Sequence, residues 1–472
     1  MKTLTEEQST IVNTILSKKS DNEIVAVNSI AGAGKTSTAV AVVEAYKPTN
    51  VFYTAFNKAI IEEARTKFPR NVECKTVHAL AFKYVKLLKD LKELSYSDIK
   101  ESIPYEYKKI IINCIGEYFR SSFITVEEYF ESVDEDILST PLSPGIIEKL
   151  TVKYISKMEE GTISPTFDFM LKTLHILLAT DDISIKYDLV ILDECQDTVP
   201  VTLEIFKLIR AKKKLLLGDT FQNIYGFLNT VNGFELLSDE IIKLQLTQSF
   251  RCSESIAAAI QRYGRKYLSP DFIYRGNPKI TDYVQGDTSY LSRTNAVIIQ
   301  RIYEMNRINK PYSLTRGIGE IFGLPLAIVN AASGRPVYNA KYKFLSDEHK
   351  KFINSNTHKT FHSYLLDMFS FDVAIEGAIK TLMNFANKRI NIFDVMQKAK
   401  KVKPDPSTIL TTVHTFKGLE TDSVYIEDNL NKMIEEIVDK ESFSPEDKEM
   451  LNLYYVAISR ARVKLDNAVF AR

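Results

Sequence analysis

The chain has 472 residues, 45% of them hydrophobic and 26% charged, an ordinary balance for a globular protein of several compact units. Its 61 lysines and arginines against 60 aspartates and glutamates leave a net charge of +1, so no global basic field marks a nucleic-acid binder and any polyanion site must be a local groove. Four widely spaced cysteines (Cys74, Cys114, Cys195 and Cys252) support neither a disulfide framework nor a structural zinc site. No apolar run reaches membrane-spanning length and "MKTLTEEQST" does not read as a signal peptide, so the expectation is no membrane partner and a reducing, cytoplasmic location.

The first strong signal along the chain is "EIVAVNSIAGAGKTSTAV". Ile24 to Val27 reads as a β-branched strand and Thr36 to Glu44 as a helix, with Gly32 and Gly34 breaking the turn between them. A phosphate-binding loop requires this strand–turn–helix context, because consecutive backbone N–H groups cradle phosphate oxygens at the positive end of the helix. The candidate nucleotide-binding segment is therefore Ser29, Ile30, Ala31, Gly32, Ala33, Gly34, Lys35, Thr36 and Ser37. Lys35 would reach the terminal phosphates, and the Thr36 hydroxyl would ligate Mg²⁺. Ser29 stands where the pattern has glycine, so only the second half of the loop matches. The bland alternative is an ordinary turn whose lysine lies in solvent.

Strand signals continue at "NVFYTAF" and "VECKTV" and stop near Phe82. The chain then turns helical, lysine-rich and aromatic up to about Phe167, as an insertion within an α/β domain would be. Strands return at "YDLVILDE" and "KKLLLGD". In the first of these, Val190 to Leu192 form the continuous apolar run of a strand buried on both faces, ending in Asp193 and Glu194. Asp193 is placed to hold Mg²⁺ beside Thr36, and Glu194 to polarise a water for in-line attack on a γ-phosphate. A solvated acidic strand end is the alternative, but after Lys35-Thr36 in the same presumed sheet the pattern reads as an NTPase. A second α/β region begins near Leu246, is interrupted after about Gly319 by a mixed segment, and resumes near Pro406. Two α/β domains with parallel sheets, each carrying an insert, are expected.

Further stretches fall in one order: "LTEEQ", "AGAGKT", "FNKA", "KTVHALA", "DECQD", "GDTFQNIYGF", "QSFR", "LSRTN", "TVHTFKGLE" and "NLYYVAISRAR". Together they resemble superfamily 1 DNA helicases of the UvrD/Rep type, in the compact branch that includes the F-box DNA helicases. The resemblance implies two RecA-like P-loop NTPase domains. The first would comprise residues 1–82 and 168–245 around a helical insert at 83–167, and the second 246–319 and 406–472 around a small insert at 320–405. It implies ATP and Mg²⁺ as cofactors, with single-stranded DNA and single-strand/duplex junctions as partners, and movement 3′→5′. Gln8 would read the adenine edge and Phe250 stack on it, while Ser37 stands where relatives often have an arginine. Gln222 would sense the γ-phosphate, Arg251 and Arg460 would reach it from across the interdomain cleft, and Gly418 and Glu420 would lie near ribose and phosphates. Lys35, Asp193, Glu194, Gln222, Arg251 and Arg460 form the catalytic set.

On the same resemblance, Asn57, Thr76, His78, Phe227, Arg293, Asn295, Thr412 and His414 lie along the DNA strand. Phe227 takes the place of a base-stacking tryptophan, and this chain has no tryptophan. The other positions are donors or cations suited to phosphate and sugar contact. His78 and His414 lack a carboxylate-rich surround and are not read as zinc ligands. The lysine cluster "QKAKKVK" is a possible duplex-contacting patch, though a solvated linker suits it slightly better. The chain ends soon after "AISRAR", from which no recruiting tail or nuclease is expected, and a compact viral enzyme (in host cytoplasm) or an accessory repair helicase would fit. The rival readings are an RNA-directed or protein-stripping translocase, an NTP-controlled binding switch, and a small-molecule kinase; protein partners are not legible.

Overall fold

The continuous apolar runs of the first half become parallel strands in the computed structural model. It describes every residue except 1–3, 18–20, 56, 86–89, 96–97, 104, 134–143, 227–229, 238–240, 282–285, 356–357, 370–371 and 472. The chain forms two compact units, Met1–Thr247 and Gln248–Arg472.

In the first unit, β1 (Ile24–Ser29), β2 (Val51–Ala55), β3 (Val72–Cys74), β4 (Lys186–Asp193), β5 (Arg210–Gly218) and β6 (Ile241–Leu246) line up as β3-β2-β4-β5-β1-β6, all parallel. Helices cover both faces, which is why β2 is buried at every position and Val190 to Leu192 of β4 are fully apolar. Helices Val77–Tyr84, Phe167–Ala179 and Pro200–Leu208 share one core with Phe52, Val190, Leu192 and Leu216. Helices Tyr105–Arg120, Val126–Ser132 and Pro144–Glu159 build a separate core around Ile111, Phe119, Ile147 and Tyr154, which Phe169 joins.

In the second unit, β7 (Thr288–Ser292), β8 (Ser313–Leu314), β9 (Thr408–Thr412), β10 (Thr421–Ile426) and β11 (Ala461–Asp466) form a parallel sheet in the order β11-β10-β7-β9-β8. Each unit is thus a parallel α/β sheet of the RecA-like kind. The segment after Ile318 differs from the mixed segment expected: it is helical, with α-helices Ile318–Ala332, Phe344–Ser355, Phe361–Met368, Val373–Asn387 and Ile392–Ala399. Gly319, Gly323 and Pro325 all lie inside one helix, with Pro325 buried. Burial of Ile321, Phe322 and Ile328 against Ile299, Ile302 and Ile379 outweighs the hydrogen bond that Pro325 forfeits.

Candidate nucleotide site and strand track

The turn after β1 is shaped by two left-handed residues, Gly32 (φ 75°) and Gly34 (φ 79°), where a side chain would be strained. Helix Lys35–Tyr46 starts immediately, and Gly34 offers its first-turn N–H groups no side-chain cap. Ile30, Ala31 and Ala33 are buried, leaving their backbones as the useful part, and Ser37 is exposed. Ser29 ties the loop to the sheet, its buried hydroxyl donating to the Gly218 carbonyl of β5 at 2.8 Å. Gln8 is buried beside the loop helix. Its Nε2 donates to Thr38 Oγ1 at 3.2 Å and its Oε1 accepts from the Thr5 N–H at 3.1 Å.

The end of β4 brings carboxylates to Lys35. Glu194 Oε1 lies 3.2 Å from Lys35 Nζ. Burial alone would lower the Lys35 pKa, but Glu194, Asp193 and Asp219 outweigh it and raise it, so the ammonium is secure. Asp193 accepts from the Tyr53 hydroxyl at 2.6 Å and from the Glu194 N–H at 2.9 Å. Burial, with the Glu194 charge added, pushes the Asp193 carboxyl above its ordinary range, and Lys35 opposes the shift. Tyr53 is pushed well up by burial and by Asp193, so it remains a donor. Glu194 has φ 55°, a left-handed conformation that costs a non-glycine residue about 1–2 kcal/mol and re-aims the chain sharply at the strand end. Oxygen donors from Thr36 and Asp193, with the negative excess of two carboxylates against one ammonium, fit a hard divalent cation that takes its other ligands from phosphates and water. Among the described residues no cluster of three or more His, Cys, Asp or Glu side chains could hold a metal by itself.

Three further residues connect this constellation to the "GDTFQ" turn after β5. Buried Gln196 donates to Glu194 Oε2 at 2.5 Å and accepts from the Asp219 N–H at 3.0 Å, and Asp219 Oδ2 accepts from Gln222 Nε2 at 2.7 Å. A Cβ at Gly218 would sit 2.5 Å from Gln196 Oε1, so glycine is what admits the Gln196 side chain. Gln196 and Asp219 lie inside the recognised motifs yet received no role from sequence. Tyr53 had no sequence signal, because only the β2–β4 register brings it to Asp193.

The second unit gathers its own expected residues. Arg251 donates through Nε to Glu420 Oε2 at 2.8 Å and through Nη1 to the Ser459 carbonyl at 3.1 Å. Gly418 holds φ 90° just before Glu420, and Phe250 is exposed beside Arg251. Arg460 is 1% exposed, and all three of its nitrogens meet protein oxygens, on Val456, Leu419 and Ser459. It is an internal strut in this conformation rather than a projecting side chain.

The expected strand contacts share one local geometry. Asn57 and Thr76, just past β2 and β3, and Thr412, the last residue of β9, are helix N-caps, accepting from the N–H groups of Ile60, Ala79 and Thr415. Arg293 and Asn295 form the turn from β7 into helix Asn295–Arg307, and Asn295 Oδ1 is buried with no partner among the described residues. Arg293 turns toward the sulfurs of Met433 and Met450, and burial lowers its pKa. His78 Nε2 stands 3.6 Å from Asp168, and His414 is half-buried. Phe227 lies outside the described residues.

A family model described as an AAA domain matches residues 12–228, and one described as the UvrD-like helicase C-terminal domain matches residues 333–467. F-box DNA helicase 1 of Gallus gallus is 29% identical over 97% of this chain and 48% of its own length. F-box DNA helicase protein 1 of Schizosaccharomyces pombe is 25% identical over 98% and 57%. The mitochondrial ATP-dependent DNA helicase HMI1 of Saccharomyces cerevisiae is 25% identical over 49% and 35%. The chain thus spans about half the length of the F-box relatives it matches. With these two models matching in order on the same two-sheet fold, the chain is similar to UvrD-like superfamily 1 helicases and resembles the F-box DNA helicases.

Proposed function

We propose that the chain is an ATP-dependent single-stranded DNA translocase and DNA helicase that moves 3′→5′ and separates duplex strands. The observation that carries this reading is the hydrogen-bonded line from Lys35 through Glu194 and Gln196 to the Asp219 backbone N–H, and from the Asp219 carboxylate to Gln222, which runs from the phosphate loop to the turn expected to feel the polymer. The three relatives are DNA helicases by name, which favours DNA as the track.

In this reading Lys35 and the loop N–H groups bind the β- and γ-phosphates. Glu194 orients a water and takes its proton as the oxygen bonds to phosphorus. The bond from phosphorus to the β–γ bridging oxygen breaks, and ADP and phosphate leave. Mg²⁺ held by Thr36 and Asp193 would neutralise charge on the phosphate oxygens. Gln8 and Phe250 hold adenine, Gly418 and Glu420 border the ribose and phosphates, and Arg251 and Arg460 supply positive charge to the transition state. Asn57, Thr76, His78, Arg293, Asn295, Thr412 and His414 hold the strand by its backbone. We assign residues 83–167 and 320–405 as inserts, and a cytoplasmic role in replication, repair or recombination belongs to the same proposal. No helix among the described residues is long and apolar enough to cross a membrane. Lys35→Ala tests the reading: ATP hydrolysis should vanish while single-stranded DNA binding survives, and near-normal turnover would refute the phosphate-loop assignment.

A further inference from the structure

The β2–β4 pair is a plate with two working faces. Side chains alternate along a strand, so Tyr53 and Asp193 point to the nucleotide side, while Thr54 and Leu192, paired in register, point to the other. On that other face lies a cavity of about 290 Å³, reached by Thr54, Thr76, His78, Arg120, Asp168 and Thr198. Its size is at the small end of ligand sites, about 300–1,000 Å³. The lining is rich in donors. Thr54 is 1% exposed and its Oγ1 has no hydrogen-bond partner among the described residues; the same holds for Arg120 Nε. Buried polar atoms are nearly always paired, so two orphans in one cavity mark where an outside acceptor belongs. Asp168 is already engaged, with Arg120 Nη1 at 3.0 Å and His78 Nε2 at 3.6 Å, so the guanidinium offsets its negative charge and both side chains are held in place.

Two of the lining residues, His78 and Asp168, have exposed aromatic rings close to them in the chain. Phe82 stands one helical turn beyond His78 on the same face of helix Val77–Tyr84 and is 68% exposed, while Val77, Leu80 and Ala81 face the core. Phe167, which immediately precedes Asp168, is 52% exposed. Two large exposed rings beside a donor-lined cavity match what a single strand presents, a phosphate for the donors and base faces for the rings.

We propose that Thr54, Thr76 and Arg120 form a pocket for one backbone phosphate of single-stranded DNA, with Phe82 and Phe167 as the platform on which the adjoining bases stack. The proposal rests on the translocase reading, in which Thr76 already holds the strand, and adds Thr54, Arg120, Phe82 and Phe167, which had no role there; Arg120 ends helix Tyr105–Arg120. It also adds aromatic grip, beside that expected of Phe227, in a chain without tryptophan.

The absence of tryptophan makes the test direct. Phe82→Trp places one emitter on the platform, and Leu16→Trp, at the end of helix Glu6–Ser17, serves as a remote control. A fluorescein-labelled oligo-dT, followed by anisotropy, reports binding independently. Oligo-dT should quench the Phe82→Trp emission and leave Leu16→Trp unchanged. The Phe82→Ala/Phe167→Ala double variant should bind about tenfold more weakly or worse with basal ATP hydrolysis unchanged, and Phe82→Trp should bind at least as well as the wild type. Arg120→Gln should reduce the slope of log K against log salt by about 0.7, one phosphate's worth for a single strand. If oligo-dT binds the Phe82→Trp protein without changing its emission, and the double variant binds like wild type, the platform is refuted while the translocase reading stands. If the wild type binds no single strand at all, both fall.

Discussion

Glu194 holds Lys35 at 3.2 Å and accepts from Gln196, so the expected base is oriented from two sides by neighbours that also border the phosphate site. Replacing it by glutamine keeps the shape and removes the proton acceptor. Glu194→Gln should hydrolyse ATP about 10²-fold more slowly or worse, while a fluorescent ATP analogue binds with near-normal affinity through Lys35, Thr36 and Asp193. Affinity falling in step with turnover would make Glu194 a ligand for the cation instead. Gln196 acts one step further back: Gln196→Ala should lower turnover by freeing Glu194 and the Asp219 turn, and Gln196→Glu should not restore it, because a carboxylate cannot donate to Glu194. Full activity in Gln196→Ala would remove it from the machinery. Lys35, Thr36, Asp193 and Glu194 were legible in sequence because a phosphate site forces glycines, a cation and a strand-end carboxylate into fixed spacing. Tyr53 was not, since its contact with Asp193 comes from strand register, to which no local pattern points.

Among the elements, the buried strands were the readable part, and the helices of residues 318–399 were the part misjudged. A strand buried on both faces announces itself by an unbroken apolar run. A helix that carries Gly319, Gly323 and Pro325 hides its period, and only tertiary burial reveals that it persists. Helix Phe167–Ala179 shows how one element is fastened to another. Lys172 of helix Phe167–Ala179 is 2% exposed, and its ammonium donates to the Ser121 and Phe123 carbonyls at 2.7 and 2.8 Å, with the Tyr118 ring 4.7 Å away. Burial pushes its pKa down to about 7, with Glu128 partly opposing. A lysine whose folded pKa lies below its unfolded value of about 10.4 binds its proton more weakly in the native state. Between about pH 7 and 10 the unfolded chain therefore holds more protons, and stability rises with pH. Relative to Lys172→Met, the wild type should gain up to about 1.4 kcal/mol per pH unit between pH 7 and 9 in urea melts. A constant difference would mean that the ammonium stays charged throughout.

At the scale of the whole molecule, a net charge of +1 and two parallel sheets say little about the track. Where the expected residues fall says more. In each unit they collect at the carboxyl ends of the strands, where open parallel α/β sheets bind their ligands, with Asn57, Thr76 and Thr412 as helix N-caps. The central claim is that ATP hydrolysis moves this protein along one DNA strand and parts the other. Strand displacement on two duplexes of identical sequence, one with a 3′ single-stranded tail and one with a 5′ tail, tests it most directly, with ATP, with a non-hydrolysable analogue, and with Lys35→Ala. The account predicts rapid unwinding of the 3′-tailed duplex by the wild type with ATP, little from the 5′ tail, and none with the analogue or the variant. Faster unwinding from the 5′ tail would contradict the direction, and no ATP-dependent displacement from either substrate, despite DNA-stimulated hydrolysis, would contradict the helicase itself.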